Sequence, residues 1–255
     1  MASGLHRVEQ IMGTAITLDI AMPLDEAQAK ALAEATFDWF REVDERFSTY
    51  KEHSEVNRLG RGELSIEDGS EDLRFVLSEC ARFWQETDGY FDIYATGSLD
   101  PSGFVKGWSV QVASDRLAAA GLTDHCINAG GDVRARGHSG PGEPWRIGIR
   151  HPWEAHKLAW VLSGIDLAVA TSGTYERGQH VLDPRRGVSA YDLRSVTVVG
   201  ADLGVADAYA TAAVAMGRKG LDWLAKLEGF EVAVVTEEGE AFRSDGLPVA
   251  ESFVA

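Results

Sequence analysis

The distribution of strand-like segments constrains the fold of this chain more than any other feature. After residue 121 the sequence breaks into short apolar stretches separated by Gly, Pro and Ser, a pattern typical of β-strands and turns. The predicted strands are residues 125–128, 133–136, 145–150, 159–163, 167–170, 194–199, 232–235 and 241–243. Because strands are grouped rather than alternating one by one with helices, we predict an α+β fold with largely antiparallel sheet.

The amino-terminal segment also has a strand pattern, whereas the next hundred residues have helical spacing. Residues 7–22 alternate, with an interruption at Met12-Gly13-Thr14, and predict two short strands or one bent strand. A first helix is predicted to open at Pro23, and a second to begin at the N-cap Ser70 and stop near Gly89. Their expected apolar faces are Leu32, Trp39, Val43 and Phe47, and Leu73, Leu77, Cys80 and Trp84. Later helices are predicted over residues 106–120, 206–216 and 221–227.

Charge and composition exclude several functional classes. The 255 residues include 24 Lys and Arg against 40 Asp and Glu, which gives a formal charge of −16. Nucleic acid and anionic membrane surfaces are therefore not expected partners, because binding to phosphate polyanions needs many cations. No apolar run approaches the length of a transmembrane helix, and residues 1–10 lack a secretory pattern, so we expect a cytoplasmic protein without membrane insertion. No domain boundary is evident, and residues 1–255 are interpreted as one domain.

Two glycine-containing segments are candidates for ligand binding. Asn128-Ala-Gly-Gly-Asp132 joins two predicted strands, and its paired glycines either allow close approach to a ligand or form a hairpin turn; spacing alone favours the turn. Asp100-Pro-Ser-Gly103-Phe-Val-Lys106-Gly107 lies at a loop-to-helix junction, where backbone amides and a lysine favour an anion. The simpler alternative is that Asp100 caps a turn and Lys106 is a solvated charge.

Two further patterns carry groups suited to acid–base or metal chemistry. Thr171-Ser-Gly follows an apolar strand, and His180 comes shortly before Asp183-Pro184. An imidazole can accept a proton near neutral pH, although the residue could equally belong to an ordinary polar loop. Asp207 and Thr211 are four residues apart on one predicted helix face, where a carboxylate and a hydroxyl suit Mg²⁺. Alternatively, Asp207 is an acidic residue at the helix start that the helix dipole favours, and Thr211 is a small packing residue.

The order of these motifs is more specific than any one of them, and together they resemble the ApbE family of FAD:protein FMN transferases over about residues 8–217. The matching elements, in chain order, are Met12-Gly-Thr14, Phe47-Ser-Thr-Tyr50 with Ser54-Glu-Val-Asn57, Gly89-Tyr-Phe-Asp92, Asp100 to Lys106-Gly107, Asn128-Ala-Gly-Gly-Asp132, Thr171-Ser-Gly173, His180-Val-Leu-Asp183-Pro184, and Asp207 to Thr211.

The resemblance implies a T-fold-like α+β structure that uses FAD as substrate together with Mg²⁺. It implies transfer of FMN from FAD to a Thr or Ser hydroxyl of a target flavoprotein, with release of AMP. By position, Mg²⁺ would be held by Asp207, Thr211 and the carbonyl of Gly103, and His180 would be the base. The implied FAD-lining residues are Met12, Tyr50, Tyr90, Phe91, Asp92, Asp100, Lys106 and Leu182. Tyr50, Tyr90 and Phe91 are expected to offer stacking surfaces to the flavin.

Two alternatives share most of these ligands. A metal-dependent FAD pyrophosphatase would use water in place of the protein hydroxyl and give FMN and AMP. A non-catalytic flavin-binding protein would hold FAD unchanged, although the presence of both His180 and the Asp207/Thr211 pair argues against it.

Overall fold

The computed structural model describes residues 4–174 and 181–254. Its helices are α1 (Glu26–Phe47), α2 (Glu55–Gly60), α3 (Glu71–Glu86), α4 (Ser102–Ala119), α5 (Leu203–Met216) and α6 (Lys219–Leu224). Its strands are β1 (Leu5–Ile11), β2 (Thr14–Ile20), β3 (His125–Ala129), β4 (Asp132–Arg136), β5 (His138–Gly140), β6 (Glu143–Arg150), β7 (Leu158–Gly164), β8 (Asp166–Gly173), β9 (Leu182–Asp183), β10 (Val188–Ser189), β11 (Leu193–Gly200), β12 (Glu231–Thr236), β13 (Ala241–Arg243) and β14 (Val249–Ser252).

An eight-stranded sheet organises the molecule, with strand order β1-β2-β3-β4-β8-β11-β12-β13. Each of its neighbouring pairs is antiparallel. A four-stranded sheet has the order β14-β7-β6-β5, and β9 and β10 form a short hairpin. The predicted α+β class with largely antiparallel sheet is confirmed.

The large sheet is buried on both faces, which explains why its central strands read as continuous apolar runs. One face packs on α1, α3, α4 and α5, and the other packs on β6 and β7 of the smaller sheet. Side chains alternate between the faces, so Ala168 and Ala170 join the helical core, whereas Leu167 and Val169 join the core between the sheets.

Helices α4 and α5 lie directly against each other on the helical side of the sheet, and glycines permit the contact. A Cβ on Gly107 would lie 2.5 Å from the carbonyl oxygen of Leu203 and 2.7 Å from Cβ of Asp207. A Cβ on Gly204 would lie 2.8 Å from the ring of Phe104. Helix α5 is rich in alanine and almost wholly buried, so it supports the site from within the core.

The structure refines several predicted boundaries. Residues 7–22 form two strands joined by a tight turn in which Met12 and Gly13 both have positive φ angles, +54° and +68°. The first helix begins at Glu26 rather than Pro23, because Asp25 supplies the N-cap. Helices α4 and α5 begin four and three residues before their predicted starts.

The predicted apolar face of α3 is wrong at Trp84. Ser70 is the N-cap, as predicted, and its side chain accepts a hydrogen bond from the N–H of Leu73. The buried face is Leu73, Val76, Cys80 and Phe83, whereas the indole of Trp84 is 52% exposed. Among the described residues, no helix is both long and apolar enough to cross a bilayer.

His125 gives the fold a defined pH dependence. Its imidazole is fully buried between the Ser114 hydroxyl, 2.7 Å from Nε2, and the Leu122 carbonyl, 2.8 Å from Nδ1. Burial lowers the pKa of His125 to about 4. Below about pH 6.5, the ordinary pKa of histidine, His125 is protonated in the unfolded chain but stays neutral in the folded chain. The free energy of unfolding therefore falls as the pH decreases towards 4.

We expect this group alone to remove about 2 kcal/mol of unfolding free energy between pH 7 and pH 5. Urea unfolding of the wild-type chain and of His125→Gln at both pH values isolates the contribution, because glutamine cannot titrate. The variant should lose about 2 kcal/mol less than the wild type over this interval. Equal losses in the two proteins would contradict the assignment.

Candidate functional site

Asp207 lies in the second turn of α5 rather than at the helix start. Its side chain is 2% exposed, and Oδ2 accepts a hydrogen bond of 2.9 Å from the backbone N–H of Gly107 in α4. The N-cap of α5 is Asp202, which accepts from the N–H of Val205. The alternative interpretation of Asp207 as an N-terminal acidic residue favoured by the helix dipole is therefore wrong.

Lys106 and Asp132 form an ion pair beside Asp207. Nζ of Lys106 lies 2.9 Å from Oδ2 of Asp132, and the two side chains are 22% and 0% exposed. The other oxygen of Asp132 accepts from the N–H of Thr171 at 3.3 Å. Asp132 starts β4 directly after the Gly130-Gly131 turn, so the segment is both the predicted hairpin and part of the site. Lys106 is not the solvated charge of the simpler interpretation.

Thr211 completes one side of this group. It lies one turn after Asp207 on α5, and its Oγ1 shares a hydrogen bond of 3.2 Å with Oγ of Ser172 on β8. Gly103 lies against it, since a Cβ on Gly103 would be 3.1 Å from Cγ2 and 3.3 Å from Oγ1 of Thr211. The structure thus brings together Gly103, Lys106, Asp207 and Thr211, as the sequence predicts. We call these residues, with Asp132 and Ser172, the acidic cluster.

In the acidic cluster, ionisation of Asp207 beside Asp132 is unfavourable. Burial, followed by repulsion from Asp132, raises the pKa of Asp207 well above its ordinary value. Lys106 and the Gly107 N–H oppose this shift, but they are the smaller effects. Oδ2 of Asp132 is buried and makes no aligned hydrogen bond within the described residues, beyond its ion pair with Lys106. A bound cation would relieve both carboxylates.

The donor set of the acidic cluster suits a hard cation. It offers carboxylate oxygens from Asp132 and Asp207 and hydroxyl oxygens from Thr211 and Ser172, the ligands that Mg²⁺ prefers. Residues 4–174 and 181–254 contain no group of three or more His, Cys, Asp or Glu side chains placed to hold a metal. Any cation here would therefore depend on hydroxyl, carbonyl or water oxygens as well.

A cavity of about 550 Å³ opens between the turn after α3 and the turn between β9 and β10. Its walls are Trp84, Gln85, Asp88, Gly89, Asp92, Pro184 and Arg185. The guanidinium of Arg185 lies 4.6 Å from the ring centroid of Tyr90, and Tyr90 is only 9% exposed. Arg185 covers the ring of Tyr90 in this structure, and the stacking of a flavin on that ring stays a prediction.

The neighbouring predicted residues have structural partners. Phe91 is buried edge-on against Phe83 and next to Gly103, so its ring belongs to the core and is not an open stacking surface. Asp92 accepts from the N–H of Tyr94 at 2.8 Å and lines the cavity. Asp100 accepts from the N–H of Ser102 at 3.0 Å, the capping role of the simpler interpretation.

The remaining predicted residues lie in three other places. Leu182 is half-buried in β9 and pairs with Ser189. Met12 forms the β1–β2 turn and packs on the helical core. Tyr50 is 97% exposed in the loop after α1, which Asn57 holds by donating to the carbonyls of Ser48, Thr49 and Lys51. His180 lies outside the described residues.

The sequence places Asp132 and Ser172 inside candidate binding segments without assigning either side chain a role, and it assigns no role to Arg185. The sequence signal for Asp132 is the alternation of side chains along β4. Val133 and Ala135 face the smaller sheet, so Asp132 faces α4. The same alternation places Ser172 beside Ala168 and Ala170 on the helical face. Arg185 carried no such signal, because its contact with Tyr90 joins distant segments.

Comparisons with known proteins identify the family of this chain. The family model described as "ApbE family" matches residues 12–99 and 94–234. A Vibrio cholerae protein named FAD:protein FMN transferase is 30% identical over 155 residues, 57% of this chain and 46% of the relative. A Rhodobacter capsulatus protein of the same name is 33% identical over 153 residues, 56% of this chain and 29% of the relative. These matches span about half, or less, of the relatives' own lengths.

Solved structures show the same fold. The flavin transferase ApbE from Vibrio cholerae has a TM-score of 0.83 at 23% identity and covers 96% of this chain and 98% of its own. The ApbE protein from Thermotoga maritima has a TM-score of 0.82 at 23% identity and covers 95% of this chain and 97% of its own. Because the family model covers most of the chain, this protein belongs to the ApbE family.

The buried charge of Asp207 predicts an unusual response to neutralisation. A carboxyl whose pKa is raised by folding stabilises the protein only while it is protonated, and this contribution is lost as pH rises. Asp207→Asn keeps an oxygen for the Gly107 N–H and removes the repulsion from Asp132. We expect urea unfolding in EDTA at pH 7 to show equal or greater stability, by about 1 kcal/mol.

Asp202→Asn is the matched control, because asparagine is as good an N-cap as aspartate. It should leave the unfolding free energy unchanged. The gain in Asp207→Asn should also shrink as the pH falls, because protonation of the wild-type carboxyl removes the same repulsion. A loss of stability greater than about 1 kcal/mol in Asp207→Asn would contradict the electrostatic interpretation.

Proposed function

We propose that this member of the ApbE family is an FAD:protein FMN transferase, which moves FMN from FAD to a Thr or Ser hydroxyl of a target flavoprotein and releases AMP. The observation that carries the proposal is the acidic cluster, in which a lysine, two buried carboxylates and two hydroxyls meet beside the family motifs. Such a group suits a pyrophosphate presented together with a cation. The names of the Vibrio cholerae and Rhodobacter capsulatus relatives support the same reaction.

We propose Mg²⁺ as the cation, held by Asp207, Thr211 and the carbonyl of Gly103. Asp207 and Thr211 are neighbours on α5, and Gly103 lies against Thr211, so their oxygens are close to one another. A helical carbonyl keeps a second lone pair for such a contact. The unfavourable charge of Asp207 next to Asp132 gives a reason for a cation here. When bound, Mg²⁺ would neutralise charge on the pyrophosphate.

The chain's own groups would supply binding and orientation. Lys106 would meet a phosphate oxygen as a point charge, while Asp132 fixes the position of its ammonium group. The Trp84–Arg185 cavity would receive a ring of FAD, with Asp92 on its wall. Tyr50, almost fully exposed, would stack on a ring of FAD, and Met12 and Leu182 would line the remaining surface. Phe91 and Asp100 would support the site through their contacts with Phe83 and with the N–H of Ser102.

The transfer step is an attack by the acceptor hydroxyl oxygen on the phosphorus of the FMN half of FAD. A new P–O bond forms to the Thr or Ser oxygen, and the bond between that phosphorus and the bridging oxygen breaks, so AMP leaves with the bridging oxygen. The hydroxyl proton must be removed, and we propose His180 as the base. The location in the cytoplasm and the Mg²⁺ requirement stay predictions.

The test of the proposal is an incubation of the purified chain with FAD, Mg²⁺ and a threonine-containing acceptor flavoprotein fragment. AMP release and the mass of the acceptor are measured together. A transferase yields AMP and an acceptor heavier by one FMN. Free FMN and AMP with unmodified acceptor would indicate the pyrophosphatase, and FAD unchanged would indicate a flavin-binding protein. Asp207→Asn should abolish AMP release, and Asp202→Asn should not.

His180 allows a separate prediction on the base. If the neutral imidazole accepts the proton, single-turnover AMP release should rise with pH through about 6.5. His180→Ala should slow this step by roughly 10²–10⁴ while FAD still binds, because Lys106 and the cavity walls remain. FAD affinity and single-turnover release are measured on the same variant. Normal release per bound FAD would exclude His180 as the base.

A further inference from the structure

We propose that Arg185 is a positioning residue that sets the width of the cavity between Trp84 and Pro184 and forms the wall that a ring of FAD contacts. The inference rests on the proposed function, since it assigns this cavity to FAD. It concerns a residue to which the sequence motifs give no role. Its basis is a set of contacts that join two segments 97 residues apart in the chain.

Arg185 makes three contacts with the turn after α3. Nη2 donates to the carbonyl of Asp88 at 2.6 Å and to the carboxylate of the same residue. The guanidinium also covers the ring of Tyr90. One side chain thereby holds two backbone segments at a fixed separation, and the cavity lies between them.

The turn after α3 is a rigid platform for this bridge. The hydroxyl of buried Thr87 accepts from the N–H of Phe91 at 2.9 Å, and the N–H of Gly89 donates to the carbonyl of Trp84 at 2.7 Å. Asp88 itself has a φ of +54°, followed by +79° at Gly89. Asparagine and aspartate tolerate this conformation better than most side chains.

The turn between β9 and β10 is equally fixed by its own hydrogen bonds. Asp183 accepts from the N–H of Arg185 at 2.9 Å through its side chain, and from the N–H of Gly187 at 2.8 Å through its carbonyl. The backbone of Arg185 is therefore held in place by this turn, and its side chain forms the link to the turn after α3.

The exposure of this pair argues that it serves the cavity rather than the fold. The side chains of Arg185 and Asp88 are 47% and 87% exposed, and ion pairs in that setting contribute little to stability. Arg185 lines the cavity while it covers Tyr90. A heteroaromatic ring on this side of the cavity would therefore meet the guanidinium of Arg185 and not the ring of Tyr90, and guanidinium groups stack on such rings.

The test compares FAD affinity and thermal stability across matched variants of the full chain. Arg185→Ala should weaken FAD binding about tenfold, and Arg185→Lys about threefold, because lysine keeps the charge but not the planar fork. Asp88→Asn tolerates the positive φ and removes only the ion pair, so it should weaken binding about threefold. The melting temperature should stay within about 2 °C of the wild type in each case.

Arg186→Ala is the control. It also removes one positive charge, but from the next residue in the chain, whose side chain does not line the cavity. It should leave affinity within about twofold. Single-turnover AMP release per bound FAD should fall by less than the affinity in Arg185→Ala, because Arg185 lies at the ring of FAD and not at the reacting phosphorus. Affinity is read from flavin fluorescence with Mg²⁺ present, and AMP is measured after each titration to correct for turnover.

The outcomes separate this inference from the proposed function. If the wild-type chain does not bind FAD, the proposed function fails and the inference fails with it. If the wild type binds FAD but Arg185→Ala behaves like Arg186→Ala, only the inference is overturned. Tighter binding by Arg185→Ala would also overturn it, because Arg185 would then be a cover that must leave the ring of Tyr90.

Discussion

The close contact between α4 and α5 is the constraint on which the site depends. Without a side chain at Gly107, the backbone of α4 approaches Leu203 and Asp207 closely enough for a direct hydrogen bond between the Gly107 N–H and the Asp207 carboxylate. Lys106, the preceding residue, reaches Asp132 from the same helix. Helix α4 thus provides a backbone N–H to the carboxylate of Asp207 and a lysine ammonium group to the carboxylate of Asp132.

The pairing of charges in this cluster is incomplete, and the imbalance has a functional meaning. Two carboxylates in the core are disfavoured unless they are neutralised, and a single lysine serves both. Evidence of the imbalance is the raised pKa of Asp207. Perturbed groups of this kind concentrate at functional sites. Under the proposed function, a bound cation would offset the penalty of burying both carboxylates, so stability of the unliganded protein would be given up for the capacity to bind.

Much of the fold and part of the site could be predicted from the sequence, for identifiable reasons. Strand patterns and the spacing of Asp207 and Thr211 are local properties, and the structure reproduces both. Trp84 was assigned to the wrong face because spacing alone does not separate a buried indole from one that lines a cavity. Asp132 and Arg185 act through partners far away in the chain, and no local pattern encodes such contacts.

The formal charge of −16 opposes binding of an anionic dinucleotide such as the proposed FAD, but ionic screening limits this effect. Charges separated by more than about 8 Å are largely screened at physiological ionic strength, so most surface carboxylates act weakly on a ligand in the site. Lys106 is mostly buried and screened much less. Arg185 lies on the cavity wall. Under the proposed function, these two cations and the proposed Mg²⁺ would together offset the nearby carboxylates of Asp88, Asp92, Asp132 and Asp207. The acidic surface would then favour an acceptor protein with a basic face.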